Sequence, residues 1–130
     1  MVAVLGACGE SKPPERYEIP DGYRGWVEIR VKRSGCPPLK RVSNQTVFVI
    51  AADGTLCTSS PIAFGMGYET YCYTKNNRCV PLPAVPNDPN SMIWGKEYYG
   101  SDGAGPNVES QRDRIRFFVG TRRQYEDARR

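Results

Sequence analysis

Val27, Ile29 and Val31 alternate with Trp26, Glu28, Arg30 and Lys32. Side chains of period two point to opposite faces of an extended chain, so residues 25–32 predict a strand with one buried face. Ile19-Pro20-Asp21-Gly22-Tyr23 precedes it as a turn, with Pro setting one central angle and Gly closing it. Ser34 to Pro38 ends it. Thr46-Val47-Phe48-Val49-Ile50 predicts a second strand, β-branched almost throughout. Ala52-Asp53-Gly54-Thr55 carries the Asp-Gly signal of a hairpin, with Leu56-Cys57-Thr58 starting the returning strand. Further strands are predicted over 68–73, over 91–99 and over Arg114–Val119, the last with Ile115, Phe117 and Val119 inward. Pro81 to Asn90 reads as a proline-bearing loop and Ser101 to Pro106 as a glycine-rich one. Thr121-Arg122-Arg123-Gln124 has capping-box spacing and predicts a short helix running to the end. Short strands separated by turns, with no internal repeat, predict an all-β fold: a small antiparallel β-sandwich with a short C-terminal helix.

Composition narrows the chemistry. The chain has 130 residues, enough for one domain, and its 13 glycines and 11 prolines suit many turns. It contains no histidine. That removes the commonest general base, the usual Ser-His and Cys-His pairs and the commonest metal ligand, and argues against an enzyme. The net charge of +4 resides in residues 112–130, where seven arginines face three carboxylates. Such an end suits anionic lipid or an acidic partner, but a solvated strand face and polar helix account for it more simply. It carries no nucleic-acid-binding motif.

Leu5-Gly6-Ala7-Cys8 has the form of a bacterial lipoprotein processing site, with small residues before a cysteine whose thiol can take a thioether-linked lipid. Residues 1–7 then read as residual signal peptide, although they fall short of the charged start and apolar run of about 7–15 residues that a secretory signal has. Residues 8–16 are polar and proline-bearing and read as a flexible tether, leaving 17–130 as the sandwich domain. Eight extended residues span at most about 25–30 Å, enough to lift a domain clear of lipid headgroups. Gly9, not Asp, follows the cysteine, which by the sorting pattern of Gram-negative lipoproteins favours the outer membrane. Of five cysteines, lipid on Cys8 leaves Cys36, Cys57, Cys72 and Cys79, an even set suited to an oxidising compartment. Three connectivities exist. A hairpin tip at Lys75-Asn76 would set Cys72 directly opposite Cys79, and Cys36 would pair with Cys57 by elimination. A zinc site is the alternative, disfavoured by spacing and by the missing histidine.

The run Tyr17-x-Ile19-Pro20-x-Gly22-Tyr23-x-Gly25-x-Val27, then Pro37-Pro38, then Phe48-Val49-Ile50-x-x-x-Gly54-x-x-x-Thr58 resembles an uncharacterised domain of bacterial envelope lipoproteins, with an extension to Phe118-Val119-Gly120-Thr121. The resemblance implies a compact β-sandwich and an envelope address, and implies no activity or cofactor. Its parts also occur in transthyretin-like and carboxypeptidase-regulatory-like sandwiches.

Tyr68, Tyr71, Tyr73, Trp94, Tyr98 and Tyr99 form an aromatic-rich middle suited to stacking on a glycan or an envelope protein, although tyrosine is also an ordinary strand former. Glu69, Glu97 and Asp102 are the carboxylates nearest to it, read as solvated strand-edge charges. Ser59-Ser60 has no base at hand and reads as a turn, and Gly100 to Gly105 lacks the context of a phosphate loop. The reading is a lipid-anchored envelope lipoprotein with a binding or structural role, on the periplasmic face of the outer membrane or the cell surface, not an enzyme and without metal or cofactor. An inhibitor of an envelope or invading enzyme, built on a protruding loop at 81–90, is the second expectation. A carboxylate hydrolase, needing two carboxyls about 5–10 Å apart in a groove, is the third.

Overall fold

The computed structural model describes residues 11–63, 65–100 and 112–130. Cys8 and the whole predicted glycine-rich loop from Ser101 to Pro106, Asp102 included, lie outside these residues. Among the described residues, nine strands and one helix follow in order: β1 (Glu15–Pro20), β2 (Gly25–Arg30), β3 (Lys40–Val42), β4 (Gln45–Val49), β5 (Thr55–Cys57), β6 (Glu69–Lys75), β7 (Arg78–Pro81), β8 (Ile93–Tyr99), β9 (Arg114–Val119) and α1 (Arg122–Ala128). They form a β-sandwich of a five-stranded sheet, β3-β4-β1-β6-β7, and a four-stranded sheet, β5-β2-β9-β8. The predicted inward residues Val27, Ile29, Val31, Ile115, Phe117 and Val119 are all buried between the sheets, with Tyr17, Ile19, Phe48, Ile50 and Tyr71 opposite them. Burying such a side chain contributes about 1.5–3 kcal/mol relative to leaving it in water.

The sheets are mixed, where antiparallel pairing alone was expected. β1 runs parallel to both β4 and β6, and β2 runs parallel to β5. The cause is that two of the predicted turns are arches between sheets. The Pro20–Gly25 turn, closed by a bond from Tyr23 N to Pro20 O at 3.0 Å, sends β1 into one sheet and β2 into the other. The Asp53-Gly54 turn does the same. Gly54 N donates to Ala51 O and Ala51 N to Thr55 O, both at 2.9 Å, as a tight turn requires. Its flanks then diverge: Ile50 N donates to Glu18 O of β1, and Glu28 N of β2 donates to Gly54 O. β4 and β5 never pair, so the hairpin predicted from Asp-Gly does not form.

β3 and β1 are not among the strands predicted from the sequence. β3 is a three-residue exposed edge, turned into β4 through Ser43 and Asn44 at φ 49° and 65°. β1 begins at Glu15, inside the segment read as tether, and the chain is held earlier still: Ser11 bridges Met66, and Lys12 N donates to Met66 O at 2.9 Å. Glu15 is 5% exposed.

The helix forms as its capping box predicts. Thr121 Oγ1 accepts from Gln124 N, and Gln124 Oε1 accepts from Thr121 N. Tyr125 carries α1 onto the outer face of the four-stranded sheet, against Trp26, Trp94 and Phe118, which is why Phe118 is buried on the face opposite to Phe117.

Disulfides join Cys36 to Cys57 and Cys72 to Cys79. The second is diagonal, not directly cross-strand. The hairpin tip is Asn76-Asn77, both left-handed, so Thr74 opposes Cys79 and Cys72 opposes Pro81. Twist of the ribbon brings the diagonal Cα atoms to 5.2 Å. Opening the Cys36–Cys57 link, whose cysteines are 21 residues apart, should lower unfolding free energy by about 3 kcal/mol, and opening the shorter one by about 2.5 kcal/mol, from loop entropy alone. Urea titration of the two double Cys→Ala variants checks both size and order. Gly54 sits at φ +87° beneath Tyr23, whose hydroxyl donates to Trp26 O, and a Cβ there would strike both groups. Gly54→Ala should therefore cost about 2 kcal/mol or more by the same titration, where the cost at an open left-handed position is about 1 kcal/mol.

Candidate functional site

One end of the sandwich holds a closed polar cluster built on β1, β6 and β8. A bulge puts its central cation there. Trp94 opposes Phe118 and Glu97 opposes Arg116, so Gly95 and Lys96 together face the single inward residue Phe117. Gly95 takes φ 62°, and the extra residue turns Lys96 from the solvent side of β8 into the sandwich. Its side chain is 15% exposed. Nζ donates to Glu69 Oε1 at 2.8 Å, Tyr17 Oη at 3.0 Å and Tyr71 Oη at 3.1 Å, and lies 4.3 Å from the Tyr17 ring centroid.

The carboxylates complete it. Glu69 Oε1 also accepts from Tyr71 Oη at 3.3 Å, while Oε2 accepts from Tyr98 Oη at 3.3 Å and from Lys12 Nζ at 3.4 Å. Lys12 lies 3.2 Å from Glu15 Oε1, which accepts from Tyr17 Oη at 3.2 Å. Two ammonium groups thus meet two carboxylates, and three phenols fill the remaining positions.

The electrostatics follow from burial and neutrality. Burial alone would raise the Glu69 carboxyl, but Lys96 and Lys12 outweigh it and hold it below the usual carboxylate range. Burial pulls the Lys96 ammonium below the usual lysine value, against the attraction of Glu69. Burial first, and then the nearby carboxylates, push Tyr17, Tyr71 and Tyr98 well up, so they serve as neutral donors. Glu15 and Glu69 share Lys12 and are close enough for a carboxylate pair, yet both are neutralised. Glu69 is therefore no solvated edge charge. The cluster orders this end of the sandwich, since each group's bonds restrict its neighbours.

Outside the cluster lies an open groove of about 700 Å³, lined by Tyr68, Tyr71, Trp94, Lys96 and Tyr125, with Ala84, Pro86 and Asn87. Trp94 stacks on Tyr125 at 5.7 Å and donates from Nε1 to Gly120 O at 2.9 Å. Tyr68 is 81% exposed at the rim. Of the six predicted aromatic residues, the structure brings Tyr68, Tyr71 and Trp94 to this groove and Tyr98 to the cluster behind it. It does not bring the others. Tyr73 donates to Tyr23 O at 2.7 Å, and Tyr99 lies under Arg114. Tyr71 is itself buried. Tyr125, Lys96 and Tyr17 were missed; the one signal for Lys96 was a glycine inside a strand pattern.

The other candidates have structural roles. Glu97 opposes Arg116 on the outer face, and Arg116 lies 3.9 Å from the Trp26 ring centroid. Arg122 pairs with Glu126 and Arg130 with Asp127. Ser60 Oγ accepts from Leu39 N, and Thr58, buried next to it, donates to Pro37 O. The 81–90 loop is tied at its base by Leu82 N to Tyr71 O and Met92 N to Pro83 O.

Lys96→Met keeps the apolar stem over Tyr17 and removes the charge. Breaking a fully buried pair costs about 3–5 kcal/mol; with this cluster partly exposed, the expected loss is about 2 kcal/mol near neutral pH. The depressed Glu69 contributes stability that is present above the unfolded carboxylate value and lost as pH falls through the folded one. The gap between wild type and Lys96→Met should accordingly shrink as pH falls below the ordinary carboxylate range, measured by urea unfolding at a series of pH values.

Comparison with known proteins supports a shared fold. The crystal structure of a candidate lipoprotein from Bacillus anthracis superposes with a TM-score of 0.62 at 22% sequence identity, over 87% of this chain and 72% of that one. No curated protein matches. Residues 11–83, which carry β1 to β7 and both disulfides, match a family of unknown function. This chain belongs to that family, DUF6843.

Proposed function

We propose that the protein is a lipid-anchored lipoprotein of the bacterial envelope, acting by binding or as a structural element and not by catalysis. The cysteine pairing carries the reading. Four of the five cysteines close into two disulfides inside the domain, which suits an oxidising compartment and sets apart Cys8, the cysteine that follows Leu5-Gly6-Ala7. The neighbouring structure named as a candidate lipoprotein supports the same assignment. Among the described residues no helix is long and apolar enough to cross a membrane, so the anchor proposed here is acyl chains on Cys8.

The binding role rests on the groove. Its polar floor, Lys96 and Glu69, is already internally paired, while its rim offers the exposed ring of Tyr68. That suits reversible contact with a glycan or an envelope protein better than bond-breaking chemistry.

Expression from the complete reading frame in a bacterial host, followed by mass spectrometry, should find diacylglycerol on Cys8. Cys8→Ser should move the protein from the membrane to the soluble fraction with both disulfides intact. An unmodified Cys8 in the exported protein would refute the assignment.

A further inference from the structure

Where the tether joins the domain decides how the domain sits on its membrane. Cys8 is three residue steps from Ser11, so their Cα atoms are at most about 11 Å apart. Ser11 is pinned beside Met66, and Lys12 N bonds Met66 O. The spacer of some 25–30 Å expected from the sequence therefore does not exist. The first point held by the domain is within about 11 Å of the proposed acyl anchor.

That end of the domain presents apolar groups. Met66 is 78% exposed and Tyr68 81%, the two most exposed large hydrophobic residues among those described. The register places more beside them. Thr46 and Glu69 both align with Glu15, so the starts of β4 and β6 and the β3–β4 turn share this edge of the sheet. Val42, 45% exposed, stands there with the exposed Arg41 alongside. Val85, 59% exposed, belongs to the loop that faces Tyr68 across the groove. Neighbouring strands lie about 4.8 Å apart, so from β3 to β6 the edge spans about 15 Å. Its two carboxylates, Glu15 and Glu69, are both held by lysines and add no net repulsion.

We propose that this edge, centred on Met66 and Tyr68, is a membrane-contact surface that docks the domain flat against the lipid headgroups. Tyrosine suits the headgroup level, where its ring and hydroxyl meet different media. Methionine and valine add apolar contact, and arginine suits anionic lipid. The inference deepens the lipid-anchor reading and rests on it. The groove then opens beside the bilayer, with Tyr68 on its membrane side.

The test supplies the anchor artificially, so that it stands apart from natural acylation. Full chain, its other four sulfurs held in disulfides, is coupled through Cys8 to a maleimide phospholipid in vesicles of equal parts phosphatidylcholine and phosphatidylglycerol. The reference is the same chain capped with a lipid-free maleimide. Amide exchange over residues 65–68 should slow several-fold on the vesicles, while the Asn76-Asn77 tip at the opposite end stays unchanged. Met66→Ser combined with Tyr68→Ser, both at exposed positions, should restore fast exchange over 65–68 with the slow core amides unaltered. Equal exchange on and off the vesicle, protection at the tip as well, or protection that survives the double substitution would each overturn the proposal. So would protection that appears only when envelope proteins are added to the vesicles, which would assign the edge to a protein partner. Any of these outcomes leaves the lipidation result untouched.

Discussion

The ring of Tyr17 holds the sandwich together. β1 lies between β4 and β6, parallel to both and in register, so Phe48, Tyr17 and Tyr71 fall side by side on the inner face. Their centroids are 4.4 and 4.9 Å apart and the rings nearly parallel. That spacing is the distance between strands in a sheet, so the backbone ladder itself sets the stack. Phe117 of the other sheet meets Tyr17 and Tyr71 edge-on, which ties the two sheets at the same point. With β1 central and in register with both neighbours, the sheet places three rings in a row. The two arches are what make a parallel central strand available.

The polar cluster follows from that stack. A fully buried tyrosine needs a partner for its hydroxyl, and Tyr17 is 0% exposed. Tyr17 and Tyr71 point their hydroxyls to the same end, where Glu15 and Glu69 accept from them. Two carboxylates side by side at the sheet's edge would repel, and two lysines balance them. Lys12 comes from the segment before β1, and Lys96 from the bulge in β8. The fold thus reads as one chain of requirements, from arches to parallel strand, to aromatic stack, to hydroxyls, to carboxylates, to lysines. Pinning the N-terminal segment against Met66 is part of the same sequence, because Lys12 is both the cluster's cation and the residue whose backbone bonds Met66.

What could be read from the sequence was whatever depends on near neighbours. Alternation at Val27, Ile29 and Val31 and at Ile115, Phe117 and Val119 depends only on strand geometry, and the Thr121–Gln124 box only on one helical turn. What escaped depends on distant partners. Glu15, Arg16, Tyr17 and Glu18 look polar when counted by type, because Glu15 and Tyr17 carry polar atoms; only the lysines and carboxylates across the sheet make their side a buried face. Asp53-Gly54 encodes a tight turn and nothing about which sheet its flanks join. The bulge at Gly95-Lys96 reverses the in–out order within one strand, so period-two alternation alone would put Lys96 on the solvent side. Predicting Tyr68, Tyr71 and Trp94 as one aromatic region came from density alone, and density also swept in Tyr73 and Tyr99, which face elsewhere.

The same ordering constrains how the domain can work at a surface. A long flexible tether would let a bound domain tumble, and any face could meet a partner. Here the chain is held at Ser11 and Lys12 by backbone pairing with Met66, and at the Lys12 side chain by the cluster, so orientation relative to the N-terminus is built into the hydrogen bonds of the fold. The Lys12 side chain is held by Glu15 and Glu69, and Glu69 by Lys96 in turn, while its backbone is held by Met66. On the proposed lipid anchor, this hold would turn a short linker into a defined posture. It would keep the groove between Tyr68 and Tyr125 at a fixed height and leave the Asn76-Asn77 hairpin, braced by its own disulfide, pointing the other way.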